Sequence, residues 1–571
     1  MKKFVAEYTG LLRDSGAKRN LIFLVLLIFF SSLLDMASVG LLAVFISILL
    51  DPQLILAHLP HFFWAVLQAN SLSAHTLMTV SAFSILVVFS VKVLVGTYQN
   101  RKLAQFSTRQ EHRLRLHLLS FYQDVDYLFI LNRSSATISN LLGPQLGNYS
   151  QYYVLAGLHF LANLVSILTI SGLLFFTHFM ATAMLLIVLS AFYGLYSRFL
   201  KSRIQGLSKT NYHTNVYLFR QLREFFYGYK EIKVLQKEDF FINQLHTTSQ
   251  SITQTQAKFA IYQSMPRYLV ELVLVVFLVG LSAALLTLGY SPESVVPLIG
   301  LFAVSGARMM PLVNQALTYS GQMTYAAYTV TAIYDELNRI AQIKHSKKSA
   351  SPDVDWGSFR QVAFKDVSFI YPEAKTAALQ HINLEILAGQ CVGIVGETGA
   401  GKTTLINVLI GLLAPTAGKI EVNGRDLPTH SAYWLRQIAY IPQDIFLLED
   451  TVKANIVFGQ DPEAVDLQRL QEAIRLAWLD RVVENLPQGL ETMLGENGIK
   501  LSGGQRQRVA LARAFYHQRN VIIMDEATSA LDSETEAEIM NAIARLQGKK
   551  TLIIISHREA TLKNCDFIYR L

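Results

Sequence analysis

The feature that most constrains the fold is a long uncharged stretch: residues 134 to 197 contain no Lys, Arg, Asp or Glu. Lys, Glu, Arg and Asp are almost always found at the surface of water-soluble proteins, so a folded segment without any of them has no ordinary place in one. Two apolar segments of about 20 residues, the length that crosses a hydrocarbon core, fit into this stretch. The sequence therefore predicts helices that span a membrane.

Further apolar runs bring the number of predicted spans to six, all in the first part of the chain. With 51% hydrophobic and 16% charged residues, the composition would be unusual for a soluble enzyme of 571 residues. The first run follows Lys18 and Arg19 and, at about thirty residues, is too long for the core of a signal peptide. The predicted spans are approximately 20–50, 76–100, 150–173, 178–197, 268–289 and 294–318.

The loop charges orient these spans. The predicted external segments 51–75, 174–177 and 290–293 contain no Lys or Arg, whereas 101–133 and 198–258 contain many. Because basic loops stay in the cytosol, both termini are expected there, and the chain is expected to be a multi-pass protein of the cytoplasmic membrane. This asymmetry accounts for the formal net charge of +8, so we expect no nucleic-acid partner. Cys391 and Cys565 imply no disulfide framework.

A phosphate-binding loop is predicted at residues 396–404, between a strand-like apolar run and a helix-like one. Glycines at 396, 399 and 401 let backbone N–H groups surround a phosphate at the start of a helix. Lys402 adds a positive charge for the β- and γ-phosphates, and the Thr403 hydroxyl is a ligand for Mg²⁺. The pattern predicts ATP and Mg²⁺ as cofactors, with Thr404 also in the nucleotide site.

Two adjacent acids, Asp525 and Glu526, end the apolar run 521–524. Open α/β sheets bind ligands at the carboxyl ends of their strands. Asp525 is therefore predicted to hold Mg²⁺, and Glu526 to act as the general base that activates water. The alternative is a structural pair that caps the following helix.

Residues 360–571 resemble the nucleotide-binding domain of ABC transporters, on motifs that occur in the family's order. The resemblance implies an α/β phosphate-loop domain, predicted at 358–571. The polar stretch 343–357 before it lacks an apolar period and is predicted to be a linker, and the six spans are predicted to form an all-α transmembrane domain at 1–342. The resemblance also implies that Tyr371 stacks on adenine, that Gln443 senses Mg²⁺ and that His557 contacts the γ-phosphate. The family usually continues beyond Leu571, so a truncated or short C-terminus is expected. The motif residues in the second half of this domain are Ser502, Gly503, Gly504, Asp525, Glu526, Asp532 and His557.

The same resemblance implies a dimer. In the family, the segment 502–504 of one subunit closes over ATP held by the other, and this chain contains one copy of each motif. A homodimer with two competent sites is the simplest arrangement, and a heterodimer stays open. Six spans followed by one ATPase domain in a single chain resemble an exporter half rather than an importer. The resemblance further implies that segments near 134–143 and 219–232 touch the ATPase domain.

The prediction of an anionic cargo depends on the ionisable residues inside the spans. Each basic residue facing lipid at mid-membrane would cost about 2.5–3.5 kcal/mol, so a hydrated cavity that binds an anion is favoured. The structural alternatives are an Arg267–Glu271 pair one helical turn apart, a Lys92 that reaches the inner surface, and an Arg308–Asp35 pair. The predicted substrate-cavity residues are Lys92, Arg267 and Arg308.

Short sequences at 266–271 and 307–314 resemble those of bacterial lipid-linked oligosaccharide flippases of the PglK type. The resemblance implies ATP-driven transfer of a polyprenyl-diphosphate glycan from the inner to the outer leaflet. It also implies an external helix at 52–68, for which a buried loop helix is the alternative. Two other functions stay open: export of another amphiphile such as a lipid, peptide or drug, and a non-transporting channel or regulator.

Overall fold

The structure is a computed structural model that describes residues 15–50, 74–177, 179–290, 292–346, 356–372, 374–397, 399–495, 498–526, 533–556, 562–563 and 565–571. The described residues form two compact units. The first contains the residues up to Val125 together with Leu131–Ser346, and the second contains Asp126–Ile130 and the chain after Ser346. The predicted external helix 52–68 and most of the predicted linker lie outside the described residues.

The first unit consists of helices. Leu141–Gln145 and Tyr149–Leu155 are π-helical segments within one continuous stretch. The α-helices are α1 Ser15–Leu50, α2 Ala74–Asp124, α3 Tyr127–Leu131, α4 Ser135–Asn140, α5 Leu146–Asn148, α6 Ala156–Thr177, α7 Phe179–Tyr227, α8 Tyr229–Val234, α9 Glu238–Thr287 and α10 Pro292–Ser346. All but α3 lie in this unit.

Four of these helices are much longer than a membrane is thick. Helices α2, α7, α9 and α10 contain 51, 49, 50 and 55 residues. At 1.5 Å per residue they measure about 75 to 80 Å, against about 30 Å for the hydrocarbon core. The charge-rich halves of these helices therefore extend well outside the membrane, as continuations of the apolar spans.

Five helical stretches among the described residues are long and apolar enough to cross a membrane. They are Arg19–Leu42, Thr79–Asp124, Ser135–Phe176, Phe179–Tyr227 and Glu238–Thr287. The sixth predicted span, 294–318, lies within α10, several of whose first side chains are outside the described set. The count of six spans therefore stays a prediction.

The stretch before α6 is bent by its own sequence. Pro144 lacks a backbone N–H and crowds the preceding turn, and Gly143 there adopts φ −91° and ψ −105°, outside the helical region. The helix continues by widening into π turns on both sides of Leu146–Asn148. Ser107 of α2 donates a hydrogen bond of 2.5 Å to the carbonyl of Ser150 there, which fixes the second π segment against its neighbour.

Small polar residues mediate the packing between the membrane helices. Ser32, Ser38, Ser171, Thr182 and Ser305 are almost completely buried. Lipid tails are as apolar as the side chains of membrane helices, so the hydrophobic effect does not drive these helices together. Small side chains stabilise the packing because they let the helix backbones approach closely. The Ser32 and Ser38 hydroxyls donate hydrogen bonds to carbonyls of their own helix, those of Phe29 and Asp35, both at 2.7 Å. The buried Ser171 and Ser305 hydroxyls have no hydrogen-bond partner within the described structure.

The second unit contains two sheets. The strands are β1 Gln361–Phe369, β2 Leu379–Leu387, β3 Cys391–Val395, β4 Ala417–Val422, β5 Arg425–Asp426, β6 Ile438–Ile441, β7 Val521–Asp525, β8 Thr551–Ile555 and β9 Phe567–Arg570. A five-stranded parallel sheet has the order β6-β7-β8-β3-β9, and a four-stranded antiparallel sheet has the order β2-β1-β4-β5. The helices are α11 Lys402–Ile410, α12 Ala432–Gln437, α13 Val452–Val457, α14 Leu467–Leu476, α15 Asp480–Glu484, α16 Gly503–Tyr516 and α17 Ser533–Ala544.

Apolar strands place the parallel sheet at the centre of this unit. Every residue of β7 and β8 is buried, as expected for parallel strands covered on both faces. Phe369, Ile394 and Trp434 belong to the buried cluster on one side of the sheet. Cys391 and Cys565 lie in contact, with 3.4 Å between the sulfur atoms, as free thiols.

One short segment from the helical half of the chain belongs to the second unit. Tyr127 and Leu128 pack against its apolar cluster, and Nε2 of His430 lies 3.5 Å from Oδ1 of Asp126. This segment, Asp126–Ile130, precedes the predicted contact segment 134–143, which belongs to the helical unit instead. The sequence did not single out Asp126–Ile130, since the short α3 lacks a long apolar pattern, and the contacts predicted for 134–143 and 219–232 stay predictions.

Candidate active site

The phosphate loop joins β3 to α11, at the carboxyl edge of the parallel sheet. Gly401 caps α11 with φ 97°, and a Cβ there would lie 2.3 Å from the carbonyl oxygen of Ala378. Gly399 has φ 89°, and a Cβ on it would project into open space next to the loop. Only glycine adopts these conformations without strain, so the sequence forces a tight loop whose backbone N–H groups stay accessible.

Lys402 and Tyr371 lie at this loop. The Lys402 ammonium donates hydrogen bonds to the carbonyls of Gly396 and Glu397, at 2.9 and 3.1 Å, which holds it across the loop. The hydroxyls of Tyr371 and Thr404 are 3.2 Å apart, so the predicted adenine-stacking ring lies beside the first turn of α11. Thr404 is buried while Thr403 is exposed, and the latter's hydroxyl is therefore the one available to a metal ion.

Asp525 is the last residue of β7 and is 8% exposed. Burial raises the pKa of its carboxyl above the ordinary value, and the Glu526 charge adds to this. The Tyr440 hydroxyl, which donates a 3.3 Å hydrogen bond, and the Lys402 charge oppose the shift. Asp525 is therefore within the electrostatic reach of the phosphate loop. Tyr440, on the neighbouring strand β6, was missed from the sequence, although its place three residues before Gln443 is a usable signal.

Glu526 and Gln443 come together across the edge of the sheet. Nε2 of Gln443 donates a 2.9 Å hydrogen bond to Oε2 of Glu526. Glu526 adopts φ 47°, a conformation uncommon for a residue with a side chain, and its N–H donates to the Ile555 carbonyl at the end of β8. Strained backbone of this kind concentrates at functional sites. The carboxylates thus meet Tyr440 and Gln443 in the described contacts, which favours a site over the helix-capping alternative.

Ser502 starts α16 through a capping box. Its hydroxyl accepts a hydrogen bond from the Gln505 N–H at 3.2 Å, and its own N–H donates to the Gln505 side chain at 2.9 Å. The Ser502 carbonyl accepts a third hydrogen bond, from the Arg506 N–H at 2.9 Å, and none of these described bonds joins Ser502 to the phosphate loop of the same chain. Gly503 and Gly504 form the first turn of the helix. The fold therefore presents this helix N-terminus, which favours anions, toward the surface of the unit.

Two predicted site residues, Asp532 and His557, lie outside the described residues. Their flanking strands are described: β8 ends at Ile555, and β7 pairs with it through Asp525. The roles assigned to Asp532 and His557 stay predictions.

The loop fits a nucleotide triphosphate. The glycines at 399 and 401 make a cradle that side chains would fill or distort, and Lys402 supplies a cation. For Mg²⁺ the available donors are Thr403, Gln443 and Asp525, which are oxygen ligands of the type this ion prefers. Among the described residues no group of three or more His, Cys, Asp and Glu forms a metal cage.

In the helical unit, Lys92 and Arg308 line one cavity of about 520 Å³, together with Asp35. The Lys92 ammonium is 2.6 Å from Asp35, whose other oxygen accepts a 2.9 Å hydrogen bond from Ser166. The Arg308 guanidinium lies over the Phe89 ring, 5.2 Å from its centroid. The predicted Arg308–Asp35 pair is wrong, because Lys92 occupies that position.

Arg267 does not line this cavity. It is exposed on α9, and no ion pair in the described structure joins it to Glu271, which is exposed as well. The predicted cavity set therefore divides: the structure brings Lys92 and Arg308 together and leaves Arg267 elsewhere on the helix bundle.

The fold and the two sites define the class of the chain: a membrane domain of long helices followed by an α/β domain with an ATP-binding phosphate loop. Residues 21–280 match the ABC transporter transmembrane region, and residues 379–529 match the ABC transporter domain. The chain belongs to the ABC transporter family, as a half-transporter of the exporter type. ATP hydrolysis coupled to transport is the activity of this family.

Three similar relatives are each named ATP-dependent lipid A-core flippase. The protein from Chromobacterium violaceum is 33% identical over 406 residues, 70% of this chain and 67% of the relative. That from Polaromonas sp. is 28% identical over 493 residues, 85% and 81% of the two chains. The match to the protein from Cupriavidus metallidurans, at 45% identity over 209 residues, spans 36% of this chain and only 35% of that relative.

A solved structure described as a bacterial Atm1-family ABC exporter with ATP bound has the same fold. It superposes with a TM-score of 0.76 over 98% of this chain and 94% of that one, at 20% identity. At this identity the likeness concerns the fold alone.

Proposed function

We propose that the chain is one half of an ATP-driven flippase that transfers an anionic, lipid-anchored amphiphile from the inner to the outer leaflet of a bacterial inner membrane. The observation that carries the proposal is the Lys92–Arg308 cavity, in which two basic residues lie within otherwise apolar helices.

The charges of this cavity suit a phosphate-bearing headgroup. Lys92 is balanced by Asp35 at 2.6 Å, which leaves Arg308 as the net positive charge among its lining residues. A guanidinium matches phosphate oxygens with two parallel hydrogen bonds, so Arg308 is the residue best suited to hold the headgroup. Lys92 becomes a second donor when the anion competes with Asp35.

Two cargo classes share this chemistry. A polyprenyl-diphosphate-linked oligosaccharide, which the membrane-domain sequences suggest, carries phosphates on a lipid chain. The relatives' name points to lipid A-core, a second lipid-anchored amphiphile. In both cases the tail can stay in lipid while the charged head follows a hydrated path, since hydrocarbon excludes it.

The energy source is the nucleotide site. We assign Glu526 as general base, with Gln443 orienting it, and Thr403 and Asp525 as ligands of Mg²⁺. Ser502 of a second copy of the chain completes each site, which makes a homodimer the working form. Reversal of a conformational equilibrium from 1:99 to 99:1 takes about 5.5 kcal/mol of differential binding, which two ATP molecules clamped between domains can supply.

The test is a flipping assay with the full chain in proteoliposomes that contain either a fluorescent polyprenyl-diphosphate glycan or a fluorescent lipid A-type glycolipid. We expect ATP-dependent transfer of one of them, and the one that is moved decides between the two classes. The Glu526→Gln variant, which is expected not to hydrolyse ATP, is the control for lipid transfer that does not depend on hydrolysis. Equal transfer by wild type and Glu526→Gln for both lipids would refute an ATP-driven flippase.

A further inference from the structure

A second basic site lies on the outside of the described helices, between the start of α1 and the middle of α2. Its groove has a volume of about 260 Å³ and is lined by Asn20 and Phe23 of α1 and by Tyr98, Lys102, Arg109 and Arg113 of α2. The four α2 residues recur at helical spacing, which places them on one face of that helix. This groove shares no residue with the Lys92–Arg308 cavity.

The groove is positive on one side and apolar on the other. Lys102, Arg109 and Arg113 line it, and none of the lining residues that the structure describes is a carboxylate. The nearest acid along α2, Glu111, is bound by Arg115 at 2.6 Å, and neither residue lines the groove. The Lys102 ammonium lies 5.2 Å from the centroid of the Tyr98 ring. A ligand that fits this surface carries negative charge and an apolar part.

The positions of the lining residues along α1 and α2 indicate how deep in the membrane the groove lies. The apolar run of α1 begins at about residue 20 and that of α2 ends at about residue 100, so Asn20 and Tyr98 mark the inner boundary of the hydrocarbon region. Phe23 and Tyr98 are 47% and 46% exposed, as aromatic side chains at a membrane interface are. The cations at 102, 109 and 113 follow on the cytosolic side of this boundary.

Beside the groove the helix surface is suited to acyl chains. Ile22, Leu26 and Leu94 are exposed on the membrane side of Asn20 and Tyr98. Leu24 and Phe106 close the floor of the groove and are nearly completely buried, so the site is formed by packed side chains. Cytosolic leaflets carry anionic phospholipids, and basic residues just inside the membrane attract them.

We propose that this groove binds the phosphate headgroup of an anionic glycerophospholipid of the inner leaflet, with its acyl chains along the exposed apolar surface of α1 and α2. The bound lipid is a resident of the protein surface and not its cargo. The proposal therefore stands independently of which amphiphile is moved.

Native mass spectrometry of the purified full chain tests this, with dioleoyl-phosphatidylglycerol as probe and dioleoyl-phosphatidylcholine as the zwitterionic lipid of equal chains. The groove variant is Lys102→Gln/Arg109→Gln/Arg113→Gln. The matched control is Lys201→Gln/Arg203→Gln/Lys209→Gln, which removes the same charge from exposed positions of α7.

We expect the first phosphatidylglycerol to bind the wild type at least about tenfold more tightly than phosphatidylcholine, and the groove variant alone to lose this preference. Equal loss in groove variant and control, or equal binding of the two lipids by the wild type, would overturn the proposal. Displacement of the lipid by millimolar glycerol phosphate would overturn it as well, since a lipid site needs the acyl chains.

ATP hydrolysis in phosphatidylcholine vesicles reports whether the triple variant is folded. If the triple variant does not fold, Lys102→Gln is compared with Lys102→Arg: the proposal requires weaker phosphatidylglycerol binding for the former only. Equal binding by these two single variants would count against it.

Discussion

The two units of the molecule build their sites in opposite ways. In the ATPase unit, the chemistry is local in sequence: a nine-residue loop with two glycines of positive φ, and an acid pair that ends one strand. In the membrane unit, Asp35, Lys92, Ser166 and Arg308 come from four helices and meet only after folding. The first kind of site is encoded by backbone conformation, and the second by helix packing.

This difference sets what mutation does to each unit. On the proposed function, a substitution at the phosphate loop or at Glu526 is expected to impair ATP hydrolysis, whereas one in the membrane cavity is expected to impair the recognition of cargo. The two effects separate when ATP hydrolysis and lipid transfer are measured on the same variants.

The largest effect is expected at Glu526. Glu526→Gln removes the general base and should lower ATP hydrolysis by about 10²–10⁴-fold, with ATP binding retained. Phosphate release measures hydrolysis, and filter binding of labelled ATP measures affinity. Glu449→Gln, an exposed acid of the same unit, is the control and should stay near wild type. A Glu526→Gln variant that hydrolyses at the wild-type rate would remove this residue from the mechanism.

The next effect concerns cargo and sharpens the contrast between the units. Arg308→Ala should lower lipid transfer about tenfold or more, because a hydrogen bond to a charged group contributes about 1.5–3 kcal/mol. Basal ATP hydrolysis should stay within about twofold. Arg267→Ala is the matched control: it removes the same side chain from a position outside the cavity. Equal losses of transfer in both variants would mean that the cavity does not select the headgroup.

A smaller effect is expected at Ser502, which caps the N-terminus of α16 and, on the proposed function, also completes the ATP site of the second copy of the chain. Ser502→Ala should destabilise the ATPase unit by about 1 kcal/mol, as loss of an N-cap does, and should also lower hydrolysis several-fold. Thr451→Ala removes the cap of α13, where the Thr451 hydroxyl accepts from the Ala454 N–H at 3.0 Å. This control should show the thermal effect alone. Identical hydrolysis in the two variants would reduce Ser502 to a structural cap.

The smallest effect is a pH dependence. Burial raises the pKa of Asp525, so its carboxylate takes up a proton at a higher pH than an ordinary aspartate as the solution is acidified. Mg²⁺-dependent binding of ATP should therefore weaken on the acid side earlier than for an unshifted carboxyl, while Mg²⁺-free binding should not. Because the folded-state pKa is the higher one, this group opposes folding above that pKa, and the opposition disappears as the pH falls through it. Titration of ATP affinity with and without Mg²⁺ checks this, and an acid limb that persists in Asp525→Asn would assign it to another group.

The sequence predicted the fold class and the ATPase correctly, since both follow from local patterns. A strand, a glycine loop and a helix in succession leave few alternatives at 391–410, and uncharged runs of 20 or more residues leave few for the spans. Pairings between distant helices could not be predicted in the same way. Lys92 and Asp35 lie on different helices. The sequence around each of them does not show which ionisable residue of the bundle will be its partner.

The helix interruption at Gly143 and the strand-edge residue Tyr440 were missed for different reasons. Pro144 predicts a bend, but a proline inside an apolar stretch does not show that the helix continues beyond it through π turns. Tyr440 is one aromatic residue in a short strand, and its contact with Asp525 depends on the parallel pairing of β6 with β7. Strand order is a tertiary property, so the local sequence does not contain it.

The length of the long helices has a mechanical consequence. A rigid rod of about 75 Å that is held over about 30 Å by the bilayer projects an arm of about 45 Å. A change in its inclination of only about 5° at the membrane surface moves the far tip by about 4 Å, which is comparable with one helical turn. A small tilt within the bilayer therefore becomes a displacement of several ångströms at the end of the helix that lies outside it.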